Sequence, residues 1–275
     1  MTHQSLPGIP WFNFPVSCRV DQRIGKALFA DNGPLTPADR RTFRNEIEEI
    51  VCSYVLDENH GIMLTPYSDE EHDYTCLAQI DVFLKKPEKA VRVAELCHRA
   101  MPYPLIVILH ETTENTELHR NEKNIINTLP CSSVFFCGSD VMFSMAEKRF
   151  SRDGKEQVVL ERFVYTEWMQ EEKLADFRNA VDFSKNRKLG FRDLYRHYIT
   201  LLDVLQCAGI TGKFKESGLS PEERRSLLAE LHHLNQQLAE LKAAVKKTTE
   251  LSQQVDLNMQ AQKITHEIQE IHKKI

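Results

Sequence analysis

The sequence predicts an α/β fold, with α+β as the alternative class. The expected body is a compact mixed-sheet domain with flanking helices, followed by a long C-terminal coiled-coil helix or helical hairpin. Three observations predict this. Residues 74–84 alternate and residues 105–110 are continuously apolar, so both read as strands, with a helical segment between them. Residues 134–143 and 156–168 flank Arg152-Asp153-Gly154-Lys155, a hairpin-type turn, and read as an antiparallel pair. Residues 222–275 contain neither Gly nor Pro and repeat apolar residues at alternating four- and three-residue steps.

The elements follow in order. Residues 1–19 are rich in proline and aromatics and read as an extended arm packing on a body at 20–210. Residues 20–29 form a short amphipathic segment. Thr36 fits a helix cap with Pro37 in the first position. Phe43, Ile47, Ile50, Val51 and Tyr54 then form one apolar stripe, so this helix is expected to reach about Asp57, where Asn59-His60-Gly61 breaks it. Tyr74, Cys76, Ala78, Ile80, Val82 and Leu84 mark a strand that Lys85-Lys86-Pro87 ends. Residues 87–99 read as a helix with Ala90, Val93, Ala94 and Cys97 inward. Residues 111–129 are polar and read as a loop or insertion. Residues 191–207 form a helix with Leu194, Tyr195, Tyr198, Leu201, Leu202 and Leu205 on its apolar face.

The tail, 220–275, opens on Ser220-Pro221-Glu222-Glu223, a helix-start signature. Leu227, Leu231, Leu234, Leu238, Leu241 and Val245 form one seam. Leu257, Ala261, Ile264, Ile268, Ile271 and Ile275 form a second, out of register with the first across residues 246–256. An interrupted helix of roughly 80 Å at about 1.5 Å per residue and a hairpin turning near that break both fit. Either way the seam must be covered, by itself, by a second copy, by the body or by a partner.

Composition narrows function mainly by exclusion. The chain has 275 residues, 41% hydrophobic and 27% charged, close to a globular average. Its net charge of −5 argues against a surface that grips nucleic acid all over, leaving a local patch or an indirect contact. The longest strongly apolar run, residues 105–109, is far below the roughly 20 residues a bilayer needs. No basic-then-apolar leader opens the chain, so a cytoplasmic location is expected. The seven cysteines contain no CxxC pair, which argues against a zinc site and for reduced thiols packed as small hydrophobes. No Gly-rich phosphate loop and no Gly-x-Ser-x-Gly elbow occurs, so neither a nucleotide cofactor nor a serine hydrolase is indicated.

One constellation suggests catalysis. Asp81 lies on a strand, Lys85 follows it, and Glu46, Glu48 and Glu49 fall on the helix expected before it. In a restriction-type nuclease, carboxylates hold Mg²⁺ and a lysine orients the attacking water. Glu46, Glu49, Asp81 and Lys85 are the candidates, but an acid-x-lysine pair is not clearly present. Mg²⁺ is expected only in that alternative. The commoner meaning of these residues is a charged helix face and a solvated strand end. His110-Glu111 reads as a polar strand cap, His232-His233 as surface, Trp168 as a packing anchor, and Lys185, Arg187 and Lys188 as solvated loop charge.

Several segments together resemble one family. They are Val20-Asp-Gln-Arg-Ile24 with Lys26, Glu49-Ile-Val-Cys-Ser-Tyr54, Gln79-Ile-Asp-Val-Phe83, Met101-Pro-Tyr-Pro-Leu-Ile106, Thr166-Glu-Trp168 and Leu194-Tyr195, with Asp256-Leu-Asn258 in the tail. Their order and spacing are similar to the bacterial domain-of-unknown-function family 4391. The chain departs at Ile24-Gly25-Lys26, where the family tends to have Ile-Pro-Lys. The resemblance implies a context rather than a reaction: members are commonly encoded beside SNF2-type or type III restriction-type helicases and DNA methyltransferases in antiviral defence loci. It supplies no catalytic residues. The expectation is a non-catalytic accessory subunit of a defence or restriction-modification-like system. Leu227, Leu231, Leu234, Leu238, Leu241, Val245, Leu257, Ile264, Ile268 and Ile271 would form its partner or homodimer face. A metal-dependent nuclease is the alternative.

Overall fold

The computed structural model describes residues 10–32, 35–111, 140–152, 158–215, 218–248 and 250–275. The expected loop at 112–129, the first residues of the 134–143 strand, most of the Arg152–Lys155 turn, and Cys131 and Cys137 lie outside these. The chain divides into two compact units, Met1–Leu202 and Asp203–Ile275.

The first unit is a mixed seven-stranded sheet with helices, as expected. Its strands are β1 (Arg19–Arg23), β2 (Ile47–Leu56), β5 (Leu77–Leu84), β6 (Leu105–Glu111), β7 (Asp140–Phe150), β8 (Val158–Tyr165) and β9 (Met169–Gln170). The order is β1-β2-β5-β6-β7-β8, with β9 also pairing β7; only β5 and β6 run parallel. A separate ribbon joins β3 (Tyr67–Ser68) to β4 (Asp73–Tyr74). The parallel pair needs a crossover, and α3 (Ala90–Ala100) supplies it.

One expectation fails in this unit. The helix that Thr36 starts is α2 (Pro37–Asn45), and it stops 12 residues short of Asp57. Its start is as read: Thr36 and Asp39 form a capping box with Pro37 in the first turn. Residues 47–56 are strand. Two bulges in β2, at Ile47/Glu49 and Cys52/Tyr54, shift the phase of alternation. Ile47 and Ile50 face one core, while Val51 packs on Phe83 and Tyr54 on Phe14 on the other side, so a strand buried on both faces shows the spacing of a helical stripe. Glu48 and Glu49 consequently sit on a strand. Similarly, residues 20–29 divide between β1 and α1 (Lys26–Asn32).

Both faces of the sheet are covered. On one, Ala78, Ile80, Val82 and Leu84 meet Leu105, Val107 and Leu109, and pack on Phe29 of α1, Phe43 of α2, and Val93, Ala94 and Cys97 of α3. Trp168 packs at the edge of this core. On the other face lie the described part of the arm, from residue 10 on, α4 (Ala175–Ala180), α5 (Phe183–Asn186) and the start of α6 (Phe191–Thr211). There Trp11 meets Phe143 edge-on at 5.1 Å, with the Arg178 guanidinium 4.5 Å over its ring. Phe12 lies against Tyr198, and Phe14 against Tyr54. The Tyr195 hydroxyl accepts from the Ala146 amide at 3.0 Å and faces the carbonyls of Leu105 and Ala146, bridging β6 and β7.

The second unit contains the end of α6, then α7 (Pro221–Lys247) and α8 (Leu251–Lys274). The helix breaks between Lys247 and Leu251, with extended backbone at Thr248 and Glu250, and α7 and α8 pack together, so of the two forms open at the outset the tail takes the hairpin. Ser220 and Glu223 form the capping box its sequence promised.

Candidate functional site

The most concentrated chemistry lies in mid-sheet. The Asp81 carboxylate on β5 has no exposed surface. Its Oδ1 is 2.7 Å from Nε2 of His110 on β6. Its Oδ2 accepts from the Ser53 hydroxyl on β2 and from Nε2 of Gln79 at 3.0 Å. Ser53 and Gln79 are also fully buried, and His110 is 5% exposed. The strand period places Gln79 and Asp81 on the face opposite Ile80 and Val82. The His110 ring stacks on Phe83 at 4.8 Å. The carboxylate sits between the serine and the histidine. This order cannot work as a hydrolytic triad, in which the histidine must touch the serine and the acid must lie behind it. Gln79 Oε1 has no hydrogen-bond partner among the described residues.

The other nuclease candidates do not join Asp81. Glu49 pairs with Arg23 at 3.4 Å, and Glu46, beyond the end of α2, pairs with Lys89 at 3.3 Å. Lys85 is exposed, and its backbone amide bonds the Glu46 carbonyl at 2.7 Å. Among the described residues no group of three or more His, Cys, Asp or Glu is placed to hold a metal. His110 and Ser53 are the members of the Asp81 network that sequence reasoning missed. His110 looked like a strand cap, and nothing local marks Ser53.

A second cluster lies under α3. Lys148 Nζ donates to the Met101 carbonyl at 2.8 Å and the Tyr103 carbonyl at 3.0 Å, capping the end of α3. A bulge at Glu147/Lys148 aims it there. Burial lowers this ammonium to about 7. Beside it, Nε2 of His98 lies 3.1 Å from the Ser144 hydroxyl, while its Nδ1 has no partner among the described residues. Burial, and then the Lys148 charge, hold His98 neutral by lowering it far below the ordinary histidine value. Lys148 also lines a groove with Tyr74, Pro102, Pro104 and Tyr195, but the groove has room for only about one water molecule.

In the hairpin the predicted seam closes on itself. Leu231, Leu234, Ile268 and Ile271 form a buried cluster, with Leu227, Leu238 and Ile264 packed against it. Leu241, Val245 and Leu257 are half-buried. What stays open is a different line on α8: Leu251, Val255 and Met259, at four-residue spacing and 75%, 52% and 65% exposed.

These features define a mixed α/β sheet domain with a sealed carboxylate network, joined in sequence to a helical hairpin. The family model described as "Domain of unknown function (DUF4391)" matches residues 12–268, and the chain belongs to that family. No curated protein and no solved structure matches it. No helix among the described residues is long and apolar enough to cross a membrane.

Proposed function

We propose that this chain is a non-catalytic accessory subunit of a bacterial anti-phage defence or restriction-modification-like system. It docks through its hairpin on an SNF2-type or type III restriction-type helicase or on a DNA methyltransferase. The partner class comes from the family resemblance. The observation that carries docking is the open line Leu251, Val255 and Met259. Three large apolar side chains on one helix face are costly to leave in water, and a partner groove covers such i, i+4, i+8 anchors. The Asp81 network supports the non-catalytic part, because donors from the protein itself already occupy both carboxylate oxygens.

The test is co-expression with the helicase or methyltransferase encoded beside the gene, followed by pull-down of the tagged full chain. The variant Leu251→Ser/Val255→Ser/Met259→Ser leaves the inner seam intact and is expected to reduce the captured partner at least about tenfold, since each lost anchor is worth roughly 1 kcal/mol or more. Equal capture by the variant, or no capture by the parent chain, would refute docking through this face. Mg²⁺- or Mn²⁺-dependent cleavage of plasmid DNA that disappears in Asp81→Ala would replace the proposal with the nuclease.

A further inference from the structure

The chain is acidic overall, yet one end of its sheet gathers cations. β1 ends at Arg23, β5 ends just before Lys85 and Lys86, and β2 begins at Ile47; the antiparallel register brings these ends together. Lys26 reaches in from α1, its Nζ donating to the Ile47 carbonyl. The Lys85 amide on the Glu46 carbonyl draws the last turn of α2, with Arg44, to the same end, and Arg41 lies one turn earlier. Lys26, Lys85 and Arg23 share one field: burial, then repulsion from Lys85 and Arg23, lowers the Lys26 ammonium, while Glu48 raises it. Of the local carboxylates, Glu49 is committed to Arg23, Glu46 to Lys89, and Glu48 lies beside Lys26, while Glu88 is exposed next to the lysine pair. Arg41, Arg44, Lys85 and Lys86 are exposed, and among the described residues none of the four has an ion-pair partner.

We propose that this end of the sheet binds the sugar–phosphate backbone of nucleic acid, by charge and without reading sequence. The composition favours a phosphate backbone over an acidic protein. Protein interfaces centre on aromatic or aliphatic anchors and are depleted in lysine. This patch consists of flexible, solvated point charges, which suit evenly spaced phosphates and gain from counterion release. The surface belongs to the first unit and does not depend on the hairpin, so failure of either proposal leaves the other standing.

The experiment is fluorescence anisotropy of a labelled random-sequence DNA duplex against the full chain, from about 50 to 200 mM salt. The parent protein is expected to bind with a micromolar to 100 μM Kd at the low end, with log affinity falling linearly with log salt. Arg44→Gln/Lys85→Gln/Lys86→Gln should flatten that slope by about 2.7, or roughly 0.9 per lost phosphate contact, and weaken binding on the order of a hundredfold near 0.1 M salt. Lys86→Gln alone should flatten it by about 0.9, which guards against a fold defect in the triple variant. Lys246→Gln/Lys247→Gln, exposed on α7 in the second unit, should change neither quantity. The proposal is overturned if the parent chain does not bind at the lowest salt, or if the triple variant keeps the parent slope. Equal weakening by the α7 variant would also overturn it. So would polyglutamate binding as tightly as DNA with the same dependence on Lys85 and Lys86, because an acidic protein would then be the better ligand.

Discussion

Replacing Asp81 separates a structural carboxylate from a catalytic one by the sign of its effect on stability. Asp81→Ala leaves three donors, from Ser53, Gln79 and His110, facing a void with no access to water. Each orphaned buried polar group costs about 1–3 kcal/mol, so the three together are expected to cost about 3–5 kcal/mol. Partial collapse around the smaller side chain holds the expected loss to that range. For a unit of about 200 residues, 1 kcal/mol shifts Tm by roughly 2–4 °C, so the melt should fall by about 6–20 °C. The protein's two tryptophans, Trp11 and Trp168, both lie in the unit that holds Asp81, so intrinsic fluorescence in a urea or thermal melt reports on it. Asp81→Asn keeps one acceptor oxygen and should lose about half as much. A catalytic carboxylate behaves in the opposite way, since its removal commonly leaves stability unchanged or improved. An Asp81→Ala melt within about 1 °C of the parent would refute the structural assignment.

Two further predictions concern pH. Asp39 accepts from Arg92 at both carboxylate oxygens, at 3.1 and 2.9 Å, and also caps α2 through Thr36. The Arg92 bonds, working against burial, hold its carboxyl well below the usual range. Its stabilisation is therefore complete above the unfolded-state value near 3.8 and lost as pH falls through the lower folded-state value. Asp39→Asn should lower stability by roughly 1–3 kcal/mol at pH 7 and much less at pH 2, measured by urea titration; an equal loss at both pH values would contradict the pairing. Lys148 titrates near 7 when folded and near 10.5 when unfolded, so between these values the unfolded chain binds more protons and stability rises with pH. The slope approaches about 1.4 kcal/mol per pH unit, best read from about pH 7 to 8.5. Above that, buried thiols such as Cys97, raised to about 12, pull the other way. Lys148→Met should flatten the rise, and an unchanged slope would show that Lys148 does not lose its proton on folding.

Much of the architecture was legible because periodicity reports burial. The alternation at Ala78, Ile80, Val82 and Leu84 named the face that meets α3, and the apolar run at 105–109 named a strand covered on both sides. The Gly- and Pro-free tail named its own helices, and Thr248 marked where they turn. Residues 47–56 misled because a strand buried on both faces carries apolar residues at helix-like spacing. The Asp81 site was half legible. Asp81 and Gln79 stood out as polar residues in a strand, but alternation alone suggests that such a face is solvated. The covering layer comes from the arm, α4 and α6, far away in sequence, and no local pattern shows that Trp11, Phe177 and Tyr198 close over this side of the sheet. Ser53 and His110 could be recognised only through the register of β2 and β6 against β5.

That register suggests why a carboxyl group persists in the centre of this sheet. An apolar replacement of similar volume is often as stable as a buried polar cluster, so stability alone does not explain Asp81. β2 carries two bulges in ten residues and apolar side chains on both faces, so alternation alone specifies its register weakly. A slip of one residue would turn Ser53 to the opposite face and leave an Asp81 oxygen short of a donor. β6, parallel to β5 and joined through α3, meets the same test through His110. Asp81 is the point where the antiparallel and parallel halves of the sheet must both be in register for one carboxylate to be satisfied. The polar network thus penalises misaligned sheets that hydrophobic burial alone would tolerate.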